Sequence, residues 1–209
     1  MPSGANVEFA SSIGTDVVST RHGSNVVFNN YLVDRPAPAQ YLRAVEAVLE
    51  VNISVAHSVR RVWPIFKNFN LWMNRYGYVW EGLPADNENR FVYLGNTGAS
   101  NDSAYGSDGS KTKYVVRKVV PEQLIYFDSF PCPLVGKNGL WSGHNVMSLY
   151  EQDGRTCISV FMEHTWYSEI MTIEALRAEA REIMFTTAVN FWRDFFIPDL
   201  LSQIEKANR

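Results

Sequence analysis

Residues Val45 to Tyr78 read VEAVLEVNISVAHSVRRVWPIFKNFNLWMNRYGY, and the period of the apolar residues changes partway through. From Val45 to Ile53 every second residue is apolar (Val45, Ala47, Leu49, Val51, Ile53), the repeat of a strand with one buried face. After Ser54 the large apolar residues fall at Val59, Val62, Trp63, Phe66 and Phe69, which is helical spacing. A strand leading directly into short aromatic-rich helices constrains the fold strongly. It says much less about chemistry.

Downstream the pattern is that of strands. Tyr78 to Leu83 and Arg90 to Leu94 are rich in aromatic and branched residues and flank a Pro84-to-Asn89 turn. A Gly/Ser-rich loop, Gly95 to Ser110, precedes a hairpin of Thr112 to Val120 and Gln123 to Phe130. A second loop runs from Pro131 to Gly143. Asn145 to Glu151 and Arg155 to Trp166 then flank Asp153-Gly154, a strong two-residue hairpin signal. From Ser168 the apolar positions Ile173, Leu176, Ala180, Ile183, Thr187 and Phe191 recur at three- and four-residue steps, and Pro198 should kink or restart that helix. The expected fold class is α+β. Seven antiparallel strands need a cover for their concave face, and the C-terminal helix is the element long enough to supply it. A curved sheet around one helix tends to leave a cavity between them.

Upstream, residues 1–42 form a Ser-, Asn- and Gly-rich arm ending in Asp34-Arg35-Pro36-Ala37-Pro38. Short apolar pieces (Val7 to Phe9, Val26 to Phe28, Tyr31 to Val33) give it a means of docking. The arm is then inert, or covers a pocket, or swaps into a partner subunit to make a homodimer. The main domain is expected at 43–207. Formal charge is -3, and the basic residues are scattered, so no nucleic-acid surface is expected. No apolar run approaches the ~18 residues of a membrane span, and the N-terminus lacks the pattern of a secretory signal. The chain reads as cytoplasmic. Two cysteines, Cys132 and Cys157, and four histidines without paired spacing suggest neither a disulfide framework nor a metal site. Gly109-Ser-Lys111-Thr112 fails as a phosphate loop, because Ser110 separates Gly from Lys and a strand follows.

The strand followed by Val59-x-x-Val62-Trp63-Pro64-x-Phe66 and Phe69-x-x-Trp72 resembles the start of the START/Bet v 1-like, polyketide-cyclase superfamily. So do Lys118 to Tyr126 (KVVPEQLIY) and the Asp153-Gly154-Arg-Thr hairpin before the last strand. The likeness spans roughly 43–207. It implies a helix-grip fold with a deep apolar cavity for a hydrophobic small molecule. Members include aromatase/cyclases, lyases, lipid or hormone binders and co-chaperone modulators. Their catalytic residues vary between branches, so no catalytic set is carried over.

Pairing arithmetic locates candidate residues. A two-residue turn at Asp153-Gly154 pairs Gln152 with Arg155 and puts Asn145, Met147, Leu149, Ile158, Val160, Met162, His164 and Trp166 on the face expected to meet the helix. His144 and Glu163 become cross-strand neighbours on the outer face. His164 is an inward histidine among apolar neighbours: a general acid or base, or a core residue satisfied by one hydrogen bond. In the Thr112-to-Phe130 hairpin one register groups Arg117, Tyr126 and Asp128 on a single face. Looking inward they would bind a carboxylate or enolate; looking outward they make a solvated ladder. Glu81 is a reserve acid. Trp80, Tyr93, Trp141, Asn145, Met162, Trp166 and Met184 are the expected substrate walls, with Trp141 a gate at the mouth. The leading functional expectation is a cofactor-independent enzyme performing cyclisation with dehydration, or a lyase step, on an aromatic or polyketide-like substrate. The alternative is a non-catalytic carrier or sensor of a lipid- or hormone-like ligand.

Overall fold

The computed structural model describes the backbone of residues 15–19, 25–33, 43–73, 78–81, 91–96, 111–134 and 137–209, and the side chains of 43–73, 113–134 and 137–209. Three strands come first: β1 (Thr15–Ser19), β2 (Asn25–Val33) and β3 (Arg43–Val55). Helix α1 (Val59–Phe66) and a 3₁₀ turn (Phe69–Leu71) follow. Next are β4 (Tyr78–Glu81), β5 (Phe91–Asn96), β6 (Lys111–Val120), β7 (Leu124–Ser129), a short β8 (Cys132–Pro133), β9 (Leu140–Gln152) and β10 (Arg155–Ser168). A long C-terminal helix is built from α2 (Ile173–Ala180), a π-helical stretch (Arg181–Ala188), α3 (Val189–Phe191), a second π-helical stretch (Trp192–Phe196) and α4 (Ile197–Ala207).

The strands form one antiparallel sheet in the order β1-β2-β3-β10-β9-β7-β6-β5-β4, with β8 paired to β9. The seven expected strands are β3 to β7, β9 and β10. The curved sheet and its long helix make the α+β, helix-grip arrangement. The arm adds β1 and β2, and β2 pairs with β3 from Val26 opposite Ile53 to Val33 opposite Glu46. The segment Val7 to Phe9 lies outside the described residues.

Local chemistry accounts for the elements. In β3 the alternate residues Val45, Ala47, Leu49, Val51, Ile53 and Val55 are all buried. In α1 the buried stripe is Val59, Val62, Trp63 and Phe66. Ser58 precedes α1 without a side-chain capping bond, and the Val59 N–H donates instead to Glu151 Oε1 at 3.1 Å. The β9–β10 turn has positive φ at both Asp153 (52°) and Gly154 (71°), the conformation the Asp-Gly pair favours. Pro198 cannot donate to the turn before it and crowds that carbonyl. The π-helical stretch widens the helix just there, and α4 restarts with Pro198 in its first turn.

The register of β9 and β10 is the expected one: Arg155 faces Gln152, Met162 faces Asn145 and His164 faces Gly143. β9 starts earlier than expected, at Leu140, so Trp141 and Gly143 are strand residues. The core between sheet and helix is rich in aromatics. Trp72 stacks on Phe66, with 5.9 Å between centroids, meets Phe69 and Trp192 at 5.7 and 5.8 Å, and donates from Nε1 to the Phe66 carbonyl at 3.2 Å. Among the described residues no helix is long and apolar enough to cross a membrane.

Candidate functional site

The inner face of β9 and β10 carries five of the twelve expected site residues: Trp141, Asn145, Met162, His164 and Trp166. His164 lies opposite Gly143, and the missing side chain there is what admits its ring: a Cβ built on Gly143 would sit 2.1 Å from His164 Cδ2. Trp141 stacks on the imidazole with 5.0 Å between centroids and 29° between planes, and Trp166 lies tilted at 5.9 Å. Nε2 of His164 meets Asn145 Oδ1 at 3.2 Å. Ser129 of β7 holds the neighbouring backbone, accepting from the Gly143 N–H at 2.6 Å and donating to its carbonyl at 3.3 Å.

Burial governs the chemistry of this imidazole. Desolvation, with a smaller repulsion from His144, pulls the His164 pKa from 6.5 to about 3. The ring is neutral across the physiological range. Beside it, Asn145 Nδ2 and Trp166 Nε1 are buried and have no hydrogen-bond partner among the described residues. Turning the Asn145 amide over would exchange its nitrogen for its oxygen and still leave one end bare. Trp166 can only donate. Met162 and Met184 are buried with these groups in the same core.

The outer face holds a second cluster. Asp128 accepts from Arg117 Nε at 2.6 Å through Oδ2 and meets His144 Nδ1 at 2.7 Å through Oδ1, while the Tyr126 hydroxyl lies 3.4 Å from the same His144 nitrogen. Burial pushes the Asp128 carboxyl up, but the bonds from His144, Arg117 and Tyr126 outweigh it and hold the carboxyl below its ordinary value. Desolvation and the bond to Asp128 raise the Tyr126 phenol. Arg117 and His144 are about half exposed, at 48% and 56%.

The expectation that Arg117, Tyr126 and Asp128 could join His164 in one pocket is therefore corrected. Ile125, Phe127 and Ser129 are the buried residues of β7, so its even-numbered Tyr126 and Asp128 point the other way. Arg117 sits at a bulge between Val116 and Lys118 that also swings Lys118 round to pair with Tyr126. Trp141 is corrected too: it is 4% exposed, in a strand, and walls the imidazole where a gate at the mouth was expected. Glu81, Trp80 and Tyr93 fall on β4 and β5, where Glu81 pairs with Tyr93; their side chains lie outside the described residues. Two participants were missed. Gly143, expected in a loop, is a glycine inside a strand, which marks a close approach once the strand is known to start at Leu140. His144 is the cross-strand neighbour of Glu163 in β10, as expected, and the contact missed is the one from Asp128 on β7. Among the described residues no group of three or more His, Cys, Asp or Glu side chains is placed to hold a metal ion.

Because the two clusters lie on opposite faces, Asp128→Asn should leave inner-face binding unchanged. It should cost no more than about 1 kcal/mol of stability at neutral pH. With the folded carboxyl depressed, its contribution is present above the unfolded carboxylate range and lost as pH falls through the folded value. Urea titrations at neutral and strongly acid pH check this: a difference that persists unchanged in acid would contradict it.

Neither a family model nor a curated protein sequence matches the chain. Solved structures do. A Staphylococcus aureus protein of unknown function is similar with a TM-score of 0.54 at 10% identity, over 78% of this chain and 97% of that one. An uncharacterized protein from Rhizobium leguminosarum matches with a TM-score of 0.48 at 12% identity, over 79% and 98%. Norcoclaurine synthase from Thalictrum flavum, solved in complex with dopamine and hydroxybenzaldehyde, matches with a TM-score of 0.48 at 9% identity, over 78% and 88%. At 10% identity the likeness to the Staphylococcus aureus protein is one of fold alone.

Proposed function

We propose that this protein binds an apolar small molecule against the inner face of its sheet and holds an oxygen of that molecule beside His164. The observation that carries this reading is the pair of buried groups without acceptors, Asn145 Nδ2 and Trp166 Nε1. A buried donor left bare costs about 1–3 kcal/mol, which a ligand carbonyl, hydroxyl or carboxylate oxygen would relieve. Trp141, Met162 and Met184 supply the apolar wall. The uncharged His164 ring orients Asn145 through its own hydrogen bond.

The low basicity of His164 favours a carrier over an enzyme. Cyclisation with dehydration, or a lyase step, needs a group that exchanges a proton near working pH. An imidazole held to about 3 is poorly suited to that. The residues support binding or transport of a hydrophobic ligand over its turnover. Chemical conversion of the bound molecule during incubation would reverse that choice.

A matched pair of probes tests the reading. 2-Acetylnaphthalene offers a carbonyl that 2-ethylnaphthalene lacks at nearly equal shape. The ketone should bind about tenfold more tightly by titration calorimetry. Trp166→Phe, which keeps an aromatic ring and deletes the donor, should shrink that preference severalfold. Equal affinities of the two probes for the wild-type protein would sink the proposal.

A further inference from the structure

A cleft of about 530 Å³ lies between α1 and the end of α4, and Arg60, Arg61 and Arg209 line it together with Pro64, Ile65 and Ala207. No lining side chain is acidic. Arg60 and Arg61 occupy the first turn of α1, where the partial positive charge of the free N–H groups disfavours cations, and no acidic residue shares that turn. None of the three guanidinium groups makes an ion pair or hydrogen bond among the described residues. Nearby acids are engaged elsewhere: Glu151 accepts the Val59 N–H at 3.1 Å, and Glu205 meets His57 Nε2 at 3.3 Å. Those two contacts also brace the elements on which the arginines stand. Two arginines held against the preference of the α1 N-terminus and joined by Arg209, on a fixed frame, favour an anion from outside the chain.

The lining narrows the anion. One bidentate guanidinium satisfies a carboxylate, whereas several guanidinium groups suit a phosphate dianion. Pro64, Ile65 and Ala207 add an apolar surface, and the cleft has room for more than the phosphate alone. We propose that the cleft between α1 and α4 binds a phosphate monoester carrying an apolar group. The ester is either a soluble aryl or alkyl phosphate or the headgroup of a phosphatidate lipid. This site shares no residue with the inner face and stands independently of the reading given there.

The test uses 1-naphthyl phosphate, 1-naphthoate and 1-naphthol, titrated at low ionic strength into the wild type and an Arg60→Ala/Arg61→Ala variant. The phosphate should bind about tenfold more tightly than the carboxylate, and the neutral naphthol more weakly still. Added salt should weaken phosphate binding. The double variant should lose at least about tenfold for the phosphate while its melting temperature holds or rises, since two cations leave a helix N-terminus. Cosedimentation with phosphatidylcholine vesicles containing phosphatidate, and not with phosphatidylcholine alone, would assign the lipid source. Binding of the naphthyl ester without cosedimentation would assign a soluble one. Unchanged phosphate affinity in the variant, or naphthol binding as tightly as the phosphate, would overturn the proposal.

Discussion

Between about pH 6.5 and 4 the wild-type protein should lose stability steadily, and a variant lacking the His164 imidazole should lose much less. His164 takes up a proton near 6.5 in the unfolded chain but only near 3 when folded. Below 6.5 the unfolded state therefore binds more protons than the folded one, so stability falls as pH falls and levels off once both states are protonated. The slope is about 1.4 kcal/mol per pH unit, or roughly 2–3 kcal/mol by pH 4.5. His164→Gln offers an amide in place of the ring and does not titrate. It should pay for the lost stacking on Trp141 at every pH and still cross the same range on a flatter curve. Denaturant titrations at half-unit pH steps would show the two curves converging in acid. Parallel curves over that range would mean that the histidine is not held neutral.

Gly143→Ala should be the most damaging single methyl in the described sheet. The new Cβ would fall 2.1 Å from His164 Cδ2 and 2.8 Å from both Cγ and Nε2. The ring has nowhere to retreat, with Trp141 stacked upon it and Trp166 beside it. Overpacking of this kind typically costs about 1–3 kcal/mol, and a clash with a boxed ring belongs at the top of that range. The cause is separable from any effect of alanine on the strand itself. In a His164→Ala background the same substitution should cost little, giving a coupling of about 2 kcal/mol in a double-mutant cycle. Additive effects would place the damage in the backbone and leave the ring out of it.

These results bear on how much of the molecule its residues disclose. The alternation in β3, the stripe of α1 and the Asp153-Gly154 turn are local signals, and each predicts its element because the period or turn conformation is set within a few residues. From the turn, counting outward placed Met162, His164 and Trp166 on the buried face correctly, since strand pairing is rigid arithmetic once its origin is known. In the β6–β7 hairpin the same arithmetic set Arg117, Tyr126 and Asp128 on one face, where they do meet, but left open which way that face looks. A single bulge beside Arg117 shifts the register, and nothing in the string Tyr114-Val-Val-Arg-Lys118 announces it. The Asp128–His144 contact joins β7 to β9, a pairing fixed by sheet order and invisible to hairpin counting. The basicity of His164 was equally out of reach. It depends on complete enclosure by residues from several elements, and an inward position alone does not measure that.

The pairing of β2 along β3 has a consequence for the chain before and after it folds. In a sheet of the seven expected strands, β3 would stand at the border, offering one row of unpaired N–H and C=O groups along a highly branched, apolar sequence. Such borders recruit further strands from other molecules and seed aggregation. With β2 on one side and β10 on the other, β3 is internal over most of its length. β2 thus serves as a guard strand, and its own outer edge is covered in turn by β1 from Asn25 to Asn29.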